Sequence, residues 1–132
     1  MEKIKRFEDL KVWQKARELS KEVYKITKEG EFAKNFGFKN QIRDSSGSSM
    51  DNIAEGFERS GNKEFMQFLY IVKGSTGEVR SQLYRAIDQN YITKKQFDNI
   101  YILAIQTSKL IGGLINYLSD SDFKGFKYKN KS

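Results

Sequence analysis

The 132-residue sequence contains no histidine, no cysteine and no proline. Without thiols and imidazoles the chain lacks the side chains of the usual zinc sites, of disulfides, and of Ser-His-Asp or Cys-His catalysis. We therefore predict no cofactor, no metal site and no catalytic residues. The absence of proline also removes the commonest residue that ends a helix.

Long apolar runs are missing as well. The longest strictly apolar run, Ile100 to Ile105, is far shorter than the roughly 20 residues that cross a membrane, and the first thirty residues are charged throughout. We expect a cytoplasmic protein with no membrane partner. Positive charge is abundant, because 24 Lys and Arg residues against 17 Asp and Glu residues give a net charge of +7. This excess suits nucleic-acid binding, and it equally suits a protein kept soluble by its charge.

Apolar residues recur at helical spacing in four long segments, which predicts an all-α protein. The first segment carries its apolar residues three or four positions apart, at Val12, Ala16, Leu19, Val23 and Ile26. We predict helices at about residues 9–29, 36–59, 63–89 and 94–118. They form one domain over residues 1–120, followed by a basic, partly flexible tail over residues 121–132. Heptad spacing in the third and fourth segments is typical of helices that pack at shallow angles.

Two stretches of the sequence bear on the prediction of four long helices. The second segment contains a run of serines around Gly47, whose composition also suits a linker, but the apolar periodicity continues through it and favours a helix. Before the fourth segment, Thr93 and Gln96 fit a capping box, with Asn90 as a left-handed helix end. This short turn predicts that the third and fourth helices are antiparallel neighbours.

The fourth predicted helix is apolar on more than one side. A helix of this kind needs burial on two sides, which favours self-association. Six glycines inside the predicted helices suggest close packing against neighbours, since each is unfavourable there by roughly 1 kcal/mol relative to alanine. They are Gly47, Gly56, Gly74, Gly77, Gly112 and Gly113.

No stretch carries a convincing catalytic motif. The segment from Gly56 to Lys63 superficially resembles a P-loop, but the lysine comes one residue late and Glu64 replaces the Ser or Thr that binds magnesium. Asn52 and Glu55 lie beside apolar residues, where a polar group or an inter-helix hydrogen bond that fixes the helix register is a simpler interpretation than catalysis. We predict that the protein is not an enzyme.

Basic residues mark the best candidate for a binding surface. Most of them lie off the apolar side of the first predicted helix, and two flank the turn after the second. The candidates for nucleic-acid binding are Lys11, Lys15, Arg17, Lys21, Lys25, Lys28, Arg59 and Lys63. Such residues contact phosphates. Because Glu18 and Glu22 interrupt the row, an ordinary solvated helix face is an equally valid interpretation.

Four motifs resemble those of a known family when they occur in this order. They are the segment Phe7 to Ala16, then Gln41-Ile42-Arg43, then Asn52 to Phe57, then Lys63-Glu64-Phe65 with Phe68-Leu69. The family is that of bacterial four-helix bundle proteins encoded in intervening sequences of large-subunit ribosomal RNA genes. The resemblance covers about residues 7–118. A related branch is the accessory variability protein of diversity-generating retroelements.

The resemblance implies an up-down-up-down antiparallel four-helix bundle that assembles as a homopentamer and has no enzymatic role. Its retroelement branch implies nucleic-acid binding and a reverse transcriptase as partner, which applies here only if the gene lies in a retroelement. Ser49-Met50 stands where the family usually has Ile-Pro, so the exact subunit geometry is not carried over. Our hypothesis is an oligomeric accessory factor that binds RNA or DNA through basic surfaces. The alternative is a protein-interaction scaffold that binds no nucleic acid.

Overall fold

The computed structural model describes residues 3–120, and these form α-helices and one 3-10 turn at Phe7–Asp9 but no strand. The helices are α1 (Lys11–Ile26), α2 (Gly30–Lys34), α3 (Phe36–Glu58), α4 (Asn62–Asp88) and α5 (Lys94–Ser119). The predicted all-α class is therefore confirmed. The basic tail predicted over residues 121–132 lies outside the described residues. Within the described part, no helix has both the length and the apolarity that crossing a membrane requires.

The four long helices pack around a shared interior. Helix α1 packs against α3 and α5, and α4 packs against the same two helices. The interior contains two apolar clusters, one towards each end of the molecule. The first, which we call the Tyr91 end, includes Leu19, Val23, Phe32, Ile42, Leu83 and Ile100, with Tyr91 packed against it. The second, which we call the Trp13 end, includes Ala16, Ile53, Phe57, Phe65, Leu69 and Ile111, with Trp13 packed against it.

Small hydroxyl side chains are buried between these two clusters. They belong to Ser45, Ser46, Ser49, Ser75, Thr76 and Thr107. Each hydroxyl donates to a carbonyl three or four residues earlier in its own helix, as Thr107 Oγ1 does to the Leu103 carbonyl at 2.8 Å. Their polar groups are thus satisfied inside the core. The serine run predicted to be helical lies within the continuous helix α3.

Helix α1 ends three residues before the predicted position. Thr27 follows it as a fully buried residue, and its hydroxyl donates to the Val23 carbonyl at 2.8 Å. The first helix was predicted to reach residue 29, but Gly30 begins the short helix α2, with a positive φ of 58°. Helix α2 places Phe32 in the core at 0% exposure. The periodicity of the sequence does not predict this helix, because five residues are too few to show a helical period.

The turn before α5 matches the sequence prediction. The Gln96 amide N–H donates to Thr93 Oγ1 at 3.1 Å, and the Thr93 amide N–H donates to Gln96 Oε1 at 2.9 Å. Asn90 has a φ of 59°, in the left-handed region. The capping box and the left-handed residue are confirmed, because both depend on side chains that are close in sequence.

The helix glycines differ from the prediction of close packing. Only at Gly56, among the six, would an added Cβ meet another group closely, 2.6 Å from Phe68 Cβ. An added Cβ would meet nothing within 4 Å at Gly47, Gly74, Gly112 or Gly113 in the described part of the chain. Close packing within one chain is therefore found at Gly56, where α3 approaches α4, whereas packing of these four glycines against another subunit stays a prediction.

Candidate nucleic-acid interface

The outward side of α1 carries the predicted row of basic residues. The residues of α1 that are buried in the core are Val12, Ala16, Leu19, Ser20, Val23 and Ile26. The cations therefore lie away from the core. The exposed ones on α1 and in the turn after it are Lys11, Arg17, Lys21, Lys25 and Lys28, whereas Lys15 is half-buried.

Carboxylates neutralise part of this row. Lys15 Nζ lies 3.3 Å from Glu18 Oε2, and Lys25 Nζ lies 3.1 Å from Glu22 Oε2. These pairs are open to solvent, where an ion pair contributes less than about 1 kcal/mol to stability. Their main effect is to lower the positive potential on the side of α1 that carries the glutamates. The sequence-based concern about Glu18 and Glu22 therefore holds for Lys15 and Lys25.

Two other cations lie beside an aromatic ring. A shallow concavity of about 310 Å³ is lined by Trp13, Gln14, Arg17, Glu18 and Lys21. The Arg17 guanidinium lies 5.8 Å from the centroid of the Trp13 ring. Among the described residues no carboxylate lies within 4.0 Å of the charged group of Arg17 or Lys21. The structure thus brings these two predicted cations together on one surface.

The last two predicted cations lie where α3 is followed by α4, Arg59 in the turn and Lys63 in the first turn of α4. Arg59 Nη2 lies 2.7 Å from Glu55 Oε2, and Arg59 Nη1 lies 3.9 Å from Glu64 Oε2. The same guanidinium lies 5.1 Å from the centroid of the Phe68 ring. The charge of Arg59 is therefore neutralised, and its side chain stabilises the turn between α3 and α4. Lys63 is exposed, and no carboxylate in residues 3–120 lies within 4.0 Å of its Nζ.

The eight predicted cations do not form one cluster. Lys11 begins α1 at the Trp13 end, and Lys28 follows the opposite end of this 16-residue helix. A helix of that length spans about 24 Å. Arg59 and Lys63 lie at the Trp13 end, where the chain passes from α3 to α4. Such spacing suits contacts with successive phosphates along a backbone better than contacts with one small ligand.

The sequence pattern does not single out Arg43 of α3, which the structure places against the end of α1. Arg43 Nε donates to Thr27 Oγ1 at 2.8 Å. The Arg43 guanidinium lies 4.3 Å from the centroid of the Tyr24 ring. Thr27 precedes Arg43 by sixteen residues, so no local spacing links the two. The sequence signal that Arg43 does carry is its place in the Gln41-Ile42-Arg43 motif, which indicates the family and not a contact with Thr27.

Asn52 and Glu55 do not form a catalytic arrangement. Asn52 Nδ2 donates to the Ser48 carbonyl at 2.9 Å and to Ser48 Oγ at 2.8 Å, and exposed Glu55 pairs with Arg59. Neither side chain bonds directly to another helix in the described residues, although Ser48 Oγ, which Asn52 contacts, lies 3.2 Å from Ser75 Oγ of α4. In the described residues no group of three or more acidic side chains is placed to hold a metal ion.

Comparisons with known proteins bear on the whole described domain. A protein-family model described as 23S rRNA-intervening sequence protein matches residues 8–113. A similar solved structure is that of a protein of unknown function from the S23 ribosomal protein family of Bacteroides thetaiotaomicron VPI-5482. It is 26% identical, with a TM-score of 0.73, and the match covers 79% of this chain and 97% of that chain. No curated protein matches the sequence.

Proposed function

Because the chain belongs to the 23S rRNA-intervening sequence protein family, we propose that it is a non-enzymatic accessory factor that binds RNA or DNA through basic surfaces of an oligomer. The family match confirms the resemblance carried by the sequence motifs. The similar solved protein is itself of unknown function. The proposal therefore depends on the chemistry of this chain's own surface.

The proposal of nucleic-acid binding rests on the outward side of α1. There Arg17 and Lys21 line one concavity with Trp13 and Glu18, and no described carboxylate lies within 4.0 Å of the charged group of either cation. Lysine and arginine side chains contact phosphates, and an adjacent aromatic ring can stack on an unpaired base. Because phosphate contacts carry no sequence information, we expect little preference for particular sequences.

We also propose that the four long helices form an up-down-up-down antiparallel bundle and that five copies assemble into a homopentamer. The antiparallel order is supported by the Tyr91 end, which joins the end of α1 to the start of α3 and the end of α4 to the start of α5. Assembly is supported by exposed apolar residues on α4 and α5, since Ile71 is 51% exposed and Ile102 is 55% exposed. Gly74 and Gly113 leave open space on the same helices. A symmetric assembly would repeat each basic side five times.

The test is a binding titration with a labelled structured RNA and with a labelled duplex DNA at several salt concentrations. Light scattering on the same samples gives the number of chains. We expect five chains and submicromolar binding at physiological salt, with affinity that falls steeply as salt rises. Absence of binding above background would contradict the accessory-factor proposal and would leave a scaffold whose partner is a protein.

Charge reversal locates the surface. We expect Lys21→Glu combined with Lys25→Glu to reduce binding to background. The matched control combines Lys95→Glu with Lys109→Glu, which makes the same change of net charge at two exposed positions of α5. We expect the control to retain most of the affinity. Equal losses in both double variants would contradict a site on α1 and indicate a response to net charge alone.

A further inference from the structure

We propose that Arg43 is a phosphate-binding residue, which receives a phosphodiester group of bound RNA or DNA where α1 meets α3. This inference rests on the proposed nucleic-acid binding and adds a residue outside the eight cations predicted from the sequence. Three features of the structure carry it. They are the fixed orientation of the guanidinium, its lack of a neutralising partner, and its place beside the basic row of α1.

A buried hydroxyl fixes one edge of the guanidinium. Thr27 Oγ1 accepts from Arg43 Nε at 2.8 Å, and Thr27 is 0% exposed. The Thr27 hydroxyl is itself 2.8 Å from the Val23 carbonyl and 3.1 Å from the Tyr24 carbonyl, where it donates. Since its hydrogen points to these carbonyls, its lone pairs are available to Arg43. The Arg43 side chain is therefore held by an atom that the core keeps in place.

An aromatic ring lies beside the guanidinium. The Tyr24 ring centroid lies 4.3 Å from Arg43 Cζ, and Tyr24 is 42% exposed. Contact with the ring and one hydrogen bond together restrict the movement of the guanidinium. A side chain that is already ordered loses less conformational entropy when it binds a ligand.

The charge of Arg43 is left without a partner. Among residues 3–120 no carboxylate lies within 4.0 Å of it, and its Nη atoms donate to no described residue. Arginine presents two parallel N–H groups that match the oxygens of a phosphate. Arg59 has the same side chain, but both of its Nη atoms face glutamates. Arg43 thus retains the donors and the full charge that bidentate phosphate binding needs.

The position of Arg43 extends the basic row from α1 to α3. Tyr24, whose ring lies beside Arg43, comes three residues after Lys21 on α1. Residues three and four apart lie on the same side of a helix. A nucleic-acid backbone that follows the outward side of α1 past Arg17 and Lys21 therefore reaches Arg43 next.

Two variants, Arg43→Gln and Arg43→Lys, test how much the Arg43 guanidinium contributes to RNA affinity. We expect Arg43→Gln to weaken RNA binding roughly tenfold and to reduce the slope of log affinity against log salt by about one. Arg43→Lys keeps the charge, so we expect the same salt slope as wild type with roughly fivefold weaker binding. The control Arg85→Gln removes a guanidinium that lies 4.2 Å from the Phe38 ring centroid, away from α1. We expect it to bind within about twofold of wild type.

Thr27→Val tests whether Arg43 binds phosphate or only stabilises the fold. This variant keeps every charge but removes the acceptor that orients Arg43, so we expect roughly threefold weaker binding with an unchanged salt slope. Thr107→Val is the matched control, because Thr107 is also buried and donates to a carbonyl four residues earlier. Equal affinity in folded Thr27→Val, Arg43→Gln and wild type would overturn the proposal.

Chemical protection tests the unmodified sequence and needs no variant to fold. We expect a bound RNA to protect Arg43 from phenylglyoxal while Arg85 remains reactive, as measured by mass spectrometry. RNA binding without protection of Arg43 would overturn this inference alone, whereas absence of RNA binding would overturn the proposed function together with it. Protection by inorganic phosphate, with RNA affinity unchanged in Arg43→Gln, would identify free phosphate as the ligand and overturn the backbone assignment.

Discussion

Arg59 and Arg43, at opposite ends of the molecule, are held in different ways. At the Trp13 end Arg59 contacts two carboxylates, those of Glu55 and Glu64. At the Tyr91 end Arg43 contacts a hydroxyl and an aromatic ring, neither of which carries charge. Arg59 is neutralised and stabilises a turn, whereas Arg43 is ordered and remains positive. The partners of a cation therefore say more about anion binding than the number of cations on a surface does.

The cores of the two ends differ in a related way. At the Tyr91 end the ring of Phe32 stacks on Phe38 and on Tyr91, with centroids 5.1 Å apart in both pairs. At the Trp13 end Phe57 and Phe65 meet edge to face, with centroids 6.0 Å apart. The stacked rings also support a cation, because Arg85 lies over Phe38. The Trp13 end has a similar arrangement, where Arg17 lies over Trp13 and Trp13 meets Phe7 with centroids 5.2 Å apart, so the two ends differ in how their buried rings stack.

The largest expected effect comes from removing the centre of this stack. We expect Phe32→Ala to lower the free energy of unfolding by about 3–5 kcal/mol, since it deletes a fully buried ring and leaves a cavity. Urea denaturation followed by circular dichroism measures the change. The control Phe36→Ala alters a ring that is 69% exposed, and we expect a change within about 0.5 kcal/mol. Equal losses for both variants would contradict the difference drawn between the two ends, because the stability of the Tyr91 end would then not depend on its buried aromatic stack.

At the Trp13 end the corresponding weak point is a glycine of α3 that packs against the side chains of Phe65 and Phe68. We expect Gly56→Ala to lower the free energy of unfolding by about 1–3 kcal/mol, because the new Cβ would lie 2.6 Å from Phe68 Cβ. Gly47→Ala on the same helix meets nothing within 4 Å, and we expect it to stabilise the protein by about 0.5–1 kcal/mol. Thermal melts of the two variants should shift in opposite directions. A stabilising Gly56→Ala would show that α3 and α4 are not in close contact there.

Arg59→Gln sharpens the comparison of the two arginines. The ion pairs that Arg59 makes are exposed, so we expect their removal to lower the free energy of unfolding by at most about 1 kcal/mol. We also expect RNA affinity within about twofold of wild type, in contrast to Arg43→Gln, because its charge is already neutralised. Fluorescence anisotropy at one salt concentration measures both variants side by side. A larger loss of affinity for Arg59→Gln than for Arg43→Gln would reverse the roles assigned to the two residues.

Features that depend on near neighbours in the sequence could be predicted. The capping box of Thr93 and Gln96, the left-handed Asn90 and the helix through the serine run all follow from spacings of a few residues. Helix α2 could not be predicted, because its one buried side chain, Phe32, is defined by contacts with Phe38 and Tyr91. A five-residue helix has no measurable period, and only the packed structure shows why it forms.

The candidate surface was predictable in part for the same reason. The exposed cations of α1 follow from the period of its apolar residues, which places Arg17 and Lys21 outward. Their neutralisation, or its absence, depends on which side chains meet in space. The pairing of Arg59 with Glu64 and the contact of Arg43 with Thr27 join separate helices or turns. Residue spacing therefore located the basic side of the protein, and the folded structure was needed to identify Arg43.

The smallest expected effect concerns an anion at the Trp13 end. The amide N–H groups of Lys5 and Arg6 donate to Asp9 Oδ2 at 3.0 Å and 3.1 Å, and these bonds hold the pKa of the Asp9 carboxyl below its usual value. A carboxyl whose pKa is lowered by folding stabilises the folded state above its unfolded pKa, and this contribution disappears as the pH falls through the folded pKa. Amide exchange of Lys5 and Arg6 should therefore accelerate in acid relative to the intrinsic rate, and Asp9→Asn should reduce their protection already at neutral pH. An Asp9 carbon resonance that titrates at the ordinary aspartate value would show that these backbone donors do not hold it.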